Sequence, residues 1–421
     1  MAESTQVHAP KDPVAPEVAP PEPGLTPSEI VDRAHALIPM VRAQQDEAER
    51  LGRHTEAVER EFVAAGFYRM LQPRRFGGYE FDVPTFWQAM LAISSGDPGT
   101  GWGLTLGSHH ALVIGAHFPA AGQREIFGPT GDFRGPHRPV PAGKARPVDG
   151  GYMVGGTWDY CSGAPYATHF MGNAMVAGRD SREVGANIAV VIPAGEFTVI
   201  DDWGDGRVLG MNASGSNSVR VDEVFVPEQR TSVGNWTRKE FPAEGAELHG
   251  NPMYGGRIYA VYHAGLVIPV IGAARAALAE LADIITTKDT LIPPRVPRYT
   301  HQDFQQPYGY ALALTDSAEA LVLRAGERYM ELGRRWAATG EPFTREEDAR
   351  LYLTIQQAGQ LAVRAVQVIF SAAGSSSAKR GRRLQRYYRD MSMYQGHIAA
   401  QYMNTAREVA KLHFGLPDGL F

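Results

Sequence analysis

Residues 385–402 read QRYYRDMSMYQGHIAAQY. Within them His397 follows Asp390 by seven positions, and there is no glutamate. Histidine, with a reference pKa of about 6.5, is suited to moving a proton at neutral pH. Seven residues on one straight helix put both side chains on about the same face but ~10 Å apart along the axis, too far for a direct hydrogen bond. Asp390 then pairs with an arginine or caps a neighbouring helix. His397 is either the base of a reaction or a polar residue filling a gap in a bundle.

A second histidine, His109, stands in LTLGSHHALVIG. A polar pair in so apolar a run needs a partner or a pocket. His109 meets such a partner or pocket, or His109 and His110 straddle a helix edge. In GGYMVGGTWDYCSG, Tyr160 and Ser162 alternate across Cys161. A strand period of two would put them on one face and turn Cys161 to the other. Ser214, Ser216 and Ser218 in ASGSNSV reach a ligand or satisfy a turn. Gly374, after Ala373, permits close approach of another group or simply ends a helix.

These residues need elements to hold them. The 421 residues suit two or three domains. A hydrophobic share of 44%, a charged share of 21% and a net charge of −5 describe a globular protein with no bias toward nucleic acid or an acidic membrane surface. One cysteine fits a reducing, cytoplasmic setting without disulfides. No run of about 20 apolar residues suggests a membrane span, and the N-terminus has no apolar signal core. Residues 1–25, rich in proline, read as a flexible arm. From 26 to 130 the apolar spacing is helical, opening at the cap-like TPSE, with SSGDPGTG as a turn between two helices. From 131 to 236 short alternating strands appear: GGYMVGGTW, HFMGNAMVAG, NIAVVIPAGEFTVI and NSVRVDEVFVP. From 250 to 421 long amphipathic segments predict a four-helix bundle. No glycine-rich nucleotide motif and no repeat is present.

That order, together with GGYMVGGTWDYCSGAPYATH, LGMNASGSNSVRVDEVFVPEQR, AVRAVQVIFSAAGSSS and the stretch from Leu384 to Pro417, resembles the acyl-CoA dehydrogenase fold. This is an α+β architecture with an N-terminal helical domain, a middle β-barrel or sandwich domain and a C-terminal four-helix bundle. Within it the chain is most similar to two-component flavin-dependent monooxygenases that hydroxylate phenols. A dehydrogenase needs a carboxylate base. The corresponding text here is Tyr394-Gln395-Gly396 or, aligned on Arg389-Asp390, Ile398, none of which accepts a proton in that role. The dehydrogenase loop entering the β domain is replaced by FRGPHRPVPAGKARPVDGG.

The resemblance implies that reduced flavin (FMNH2 or FADH2 from a separate reductase) reacts with O2 to a C4a-hydroperoxide, which a water-free pocket protects. It implies a small aromatic substrate and a homotetramer, with no nucleic acid or membrane partner. His397 is then the base, His109 a hydrogen-bond donor or second acid near the flavin or substrate, and Asp390 a further catalytic candidate. Trp158, Tyr160, Ser162, Ser216, Ala373 and Gly374 fall along the flavin, and Arg298 with Phe304 near its phosphate. The dehydrogenase Arg-x-x-Phe is here His301-Gln302-Asp303-Phe304, so Arg295 or Arg298 would have to replace that arginine. The six basic residues from Lys379 to Arg389 attract FMN or a reductase, or form a solvated face or an inter-subunit salt-bridge strip. N-hydroxylation, S-oxidation, a dehydrogenase or oxidase with another base, and a non-catalytic binding protein are the other readings.

Overall fold

A computed structural model describes residues 16–180, 183, 185–234, 241–417 and 419. The N-terminal helices are α1 (Pro27–Ala43), α2 (Gln45–Leu51), α3 (Glu56–Ala65), α4 (Val83–Gly96), α5 (Pro98–His117) and α6 (Ala120–Phe127). Strands β1 (His137–Val148), β2 (Gly151–Trp158), β3 (His169–Val176), β4 (Asn187–Pro193), β5 (Thr198–Val199), β6 (Val219–Pro227) and β7 (Thr231–Val233) follow. Then come α7 (Glu244–His249), α8 (Tyr259–Thr287), α9 (Gln302–Thr339), α10 (Arg345–Ala373), α11 (Arg383–Gln395) and α12 (Tyr402–His413).

The local signals act where their chemistry says they should. Thr26 and Glu29 form a reciprocal capping box at α1. Asp97 alone separates α4 from α5, and its Oδ2 accepts from Thr100 N–H at 2.9 Å. Asp348 of α10 reaches across to α8, accepting from the Ala260 N–H at 3.0 Å and fixing the start of the helix that faces the site.

The strands form one seven-stranded sheet in the order β5-β6-β2-β1-β3-β4-β7. Only β1 and β3 run parallel; the other pairs are antiparallel. β1 contains Pro139, Pro141 and Pro147, a composition that reads as loop. The β1–β3 register breaks between Arg138 and Gly143, so Pro139 and Pro141 fall where no ladder hydrogen bond is needed.

Two cores result. Val154, Trp158, Phe170, Val190 and Val219 pack within the β domain. The second core runs without a break from Ile30 and Phe62 through Trp87 and Ile114 to Val267, Ala358 and Tyr394. The N-terminal helices and the bundle therefore share one interior rather than forming separate hydrophobic bodies. α8 is long and apolar enough to cross a membrane, but 83% of that stretch is buried inside this interior.

The expectation of a loose arm over 1–25 needs correction for 16–25; residues 1–15 lie outside the described set, as does the expected β-domain end at Trp236. Val18 bridges to Phe76. Glu17 takes hydrogen bonds from both Arg124 and Arg75, which pull its carboxyl down to about 2.

Candidate active site

α5 forms one wall. Trp102 and His109 stand two turns apart on it, with His110 next to His109. Trp102 Nε1–H donates to Ser162 Oγ at 3.0 Å. Ser162 Oγ lies 2.8 Å from Ser216 Oγ, which lies 2.6 Å from Ser214 Oγ. All four residues are buried. Ser162 and Ser216, each expected along the flavin, thus stand next to one another, organised by a tryptophan.

The other edge of Trp102 meets His397, ring centroids 5.9 Å apart and close to perpendicular. α11 ends at Gln395, and His397 opens a short 3-10 turn over Ile398–Ala400. Its Nδ1 accepts from Ala399 N–H at 3.0 Å. The neutral ring must therefore carry its proton on Nε2. Burial, reinforced by the Arg138 charge, pushes this imidazole down to about 4. At neutral pH His397 is an N–H donor. This corrects the picture of a base with a free lone pair and an unshifted pKa.

His109 and His110 have the opposite arrangement. Their Nδ1–H groups donate to Thr105 O (3.0 Å) and Gly135 O (2.6 Å). Each Nε2 is then an acceptor, buried and without a partner among the described residues. The two rings are 4.2 Å apart. Burial lowers His109 to about 4, and lowers His110 further with repulsion from His109 and His137. Behind them Tyr262 O–H donates to His137 Nδ1 (2.9 Å), and His137 Nε2–H donates to Asn173 Oδ1 (3.0 Å). His263, whose Nδ1–H is held by Tyr259 O at 3.0 Å, adds a fifth imidazole, from α8. Among the described residues no Asp or Glu is hydrogen-bonded to His109, His110, His263 or His397.

The site is therefore two bare imidazole acceptors and one imidazole donor beside a tryptophan and a row of hydroxyls. Reduced flavin and phenols both bring N–H or O–H donors, which the two unpartnered Nε2 atoms lack. The residue set fits a flavin with an aromatic substrate.

Residues 264–402 match the family model for the acyl-CoA dehydrogenase C-terminal domain. The chain is 25% identical to the oxygenase subunit HsaA of a flavin-dependent monooxygenase from Rhodococcus jostii, covering 92% of this chain and 98% of that one. It is 27% identical to a pigment production hydroxylase from a Rhodococcus species, covering 93% and 98%. The solved structure of XiaF from a Streptomyces species, in complex with FADH2 and glycerol, superimposes with a TM-score of 0.80 at 25% identity, covering 93% of this chain and 96% of that one. This chain is a homologue of flavin-dependent monooxygenase oxygenase components. Its fold is that of the acyl-CoA dehydrogenases.

In this monooxygenase homologue several expected site residues take other places. Asp390 is no neighbour of His397 in the hydrogen-bond network. Its Oδ1 accepts from Met211 N–H at 2.6 Å, within a buried knot that also holds Asp97, Asn212 and Arg386. Trp158 is fully buried in the β-domain core, with Nε1–H on Asn173 O at 2.8 Å. Tyr160 and Ser162 do not share a strand face, because β2 ends at Trp158 and Tyr160 adopts a φ of +59°. That turn sends Tyr160 outward, 53% exposed, and Ser162 inward. Cys161 is buried as expected.

Arg298 and Phe304 do meet, guanidinium over ring at 5.0 Å. Arg298 Nε–H is engaged by Asp289 O at 3.0 Å, and no contact of the pair reaches Trp102, Ser162 or His397. Ala373 is the buried last residue of α10. Gly374 has a φ of +83° with open space around it, a backbone conformation that favours glycine. Of the basic run, Arg383 pairs with Glu280, Arg386 with Asp46 and Glu49, and Arg389 with Glu49. Three of the six basic residues are thus engaged within this chain.

Trp102, His137, Arg138, Tyr262 and His263 were not singled out in the sequence. For His263 a signal exists: it interrupts the apolar run VYHAGLVIPV as His109 interrupts its own.

Proposed function

We propose that this chain is the oxygenase component of a two-component flavin-dependent monooxygenase. It takes reduced FMN or FAD from a separate reductase and hydroxylates a small phenol-like aromatic. The observation that carries this reading is that His109 Nε2 and His110 Nε2 on α5 are buried acceptors without a partner while His397, packed on Trp102 of the same helix, carries its proton on Nε2, with no carboxylate hydrogen-bonded to any of them among the described residues.

Reduced flavin, when bound, would supply the two electrons that activate dioxygen, one atom of which goes to the substrate while the other leaves as water. Ser162 and Ser216, held by Trp102, offer hydroxyls to its polar edge. The substrate O–H donates to one of the bare imidazole nitrogens. Magnitudes limit what that nitrogen does. A phenol near pKa 10 and an imidazole near 4 differ by about 6 units, so full proton transfer at rest is uphill by ~8 kcal/mol. The imidazole therefore orients the hydroxyl and draws its proton only as charge develops in the transition state. His397 Nε2–H steadies negative charge on oxygen. Trp102, Tyr262 and Tyr394, all buried, keep water from the site.

The test supplies anaerobically reduced FMN or FAD, a panel of phenols and isotopically labelled dioxygen. A product carrying one labelled oxygen atom is expected. Hydrogen peroxide alone, with every phenol and both flavins, refutes the reading.

A further inference from the structure

Arg138 sits on β1 directly after His137, at the last paired position before the register break. It is half-buried, and its guanidinium lies over the ring of Tyr160 at 5.8 Å. Among the described residues no carboxylate comes within ion-pairing distance of it and no side chain accepts its hydrogen bonds. Two other partly or fully buried arginines show the alternative: Arg134 and Arg386 are each paired to carboxylates. A half-buried cation without an anion is unfavourable unless a ligand provides one.

Tyr160 gives the independent second observation. Its φ of +59° is unfavourable for a residue with a side chain, and its ring is 53% exposed while packed edge-on against Trp203. Strain of that kind persists where the surroundings enforce it, commonly at ligand sites. Here it holds an aromatic wall beneath a cation.

Depth assigns the two ends. His109 and His110 are 2% and 1% exposed, and the reacting hydroxyl must reach them. Arg138 and Tyr160 stand at the rim. The Arg138 charge is also felt at His397, His137 and Tyr262, so it lies within electrostatic reach of this site. Building on the phenol-hydroxylase reading above, we propose that the substrate is an aromatic acid, whose carboxylate pairs with Arg138 at the rim while its phenolic hydroxyl meets the buried imidazoles. A guanidinium suits a carboxylate because it offers two parallel N–H donors.

The test measures equilibrium binding without oxygen, to protein loaded with reduced FMN. Ligands are para-hydroxybenzoate, para-hydroxyphenylacetate and para-hydroxyphenylpropanoate, each against its uncharged amide. For at least one chain length the acid should bind about tenfold tighter than its amide. Arg138→Gln should abolish that preference, and Arg138→Lys should keep a weaker one. Equal affinity of wild type for acid and amide throughout, or no binding of any acid, overturns the proposal. So does a preference that survives in Arg138→Gln. Loss of reduced-FMN affinity in Arg138→Gln, with no acid preference in wild type, would assign the guanidinium to the cofactor and also overturn it. If Arg138→Gln does not fold, the wild-type comparison and Arg138→Lys decide. Because oxygen is absent, an acid preference without hydroxylated product would keep the subsite and discard the chemistry.

Discussion

The Ala399 N–H and His397 Nδ1 lie 3.0 Å apart, and this one hydrogen bond decides which nitrogen of His397 faces the site. With Nδ1 occupied, Nε2 carries the proton. His397→Ala removes the donor, and product formation from reduced flavin should fall about a hundredfold. His397→Gln, which offers an amide N–H, should recover part of it. The ring stays neutral down to about 4, so the yield should not change between pH 6 and 8 on account of this group. A titration of yield near pH 6.5 that vanishes in His397→Gln would show that the lone pair, not the N–H, is used.

The buried imidazoles set how the fold responds to acid. His109, His169, His249, His263 and His397 are lowered to about 4 and His137 to about 3, all chiefly by burial. Between their unfolded pKa of about 6.5 and those values, the unfolded chain binds more protons than the folded one. Their contribution to stability is complete above about 6.5 and is lost as pH falls toward 4. Asp348 and Asp390, raised to about 6 and about 7, and Asp97 and Glu80, raised by burial, work in the opposite direction, but they are four against seven histidines once His110 is included. Thermal unfolding should occur at lower temperature at pH 5 than at pH 7.5. A higher midpoint at pH 5 would mean that the carboxylates dominate.

What could be read from residues alone followed from how local each signal is. The capping box at Thr26 and Glu29 and the Asp97-Pro98 junction depend on a few neighbouring residues, and they form as read. β1 was hidden because Pro139 and Pro141 contradict a strand unless the partner register breaks at that point, which is a property of β3. The shared face of Tyr160 and Ser162 failed because the strand ends two residues earlier, at Trp158. His397 and Asp390 look like one helix face, yet the helix ends at Gln395 and each residue answers to a different neighbour. Arg138 had no local signal: its interest lies in what fails to surround it.

Asp390 should prove structural. Its carboxyl is raised to about 7, first by burial and then by Asp97. An Asp whose folded pKa is raised destabilises the fold increasingly as pH climbs from about 4 to about 7. Asp390→Asn keeps an acceptor for Met211 N–H and removes the ionisation. The variant's stability relative to wild type should therefore rise across that pH range and level off above it. Product formation should persist. Parallel pH profiles for the two proteins would mean that Asp390 is ionised in the fold at little expense.

Gly265 on α8 provides a steric probe of His109 that touches no proposed ligand contact. A Cβ there would stand 2.9 Å from His109 Cε1 and 3.1 Å from its Nδ1, inside normal contact. The imidazole must then move and strain its bond to Thr105 O. Alanine in a helix interior recovers ~1 kcal/mol relative to glycine, which offsets part of the clash. Gly265→Ala should therefore remain folded, with a modest change in unfolding midpoint. Product formed per reduced flavin should drop, because the bare Nε2 is no longer where the substrate hydroxyl needs it. Unfolding data and product yield on the same preparation separate the two effects. Full yield from a folded Gly265→Ala protein would remove His109 from the chemistry and leave His110 as the acceptor.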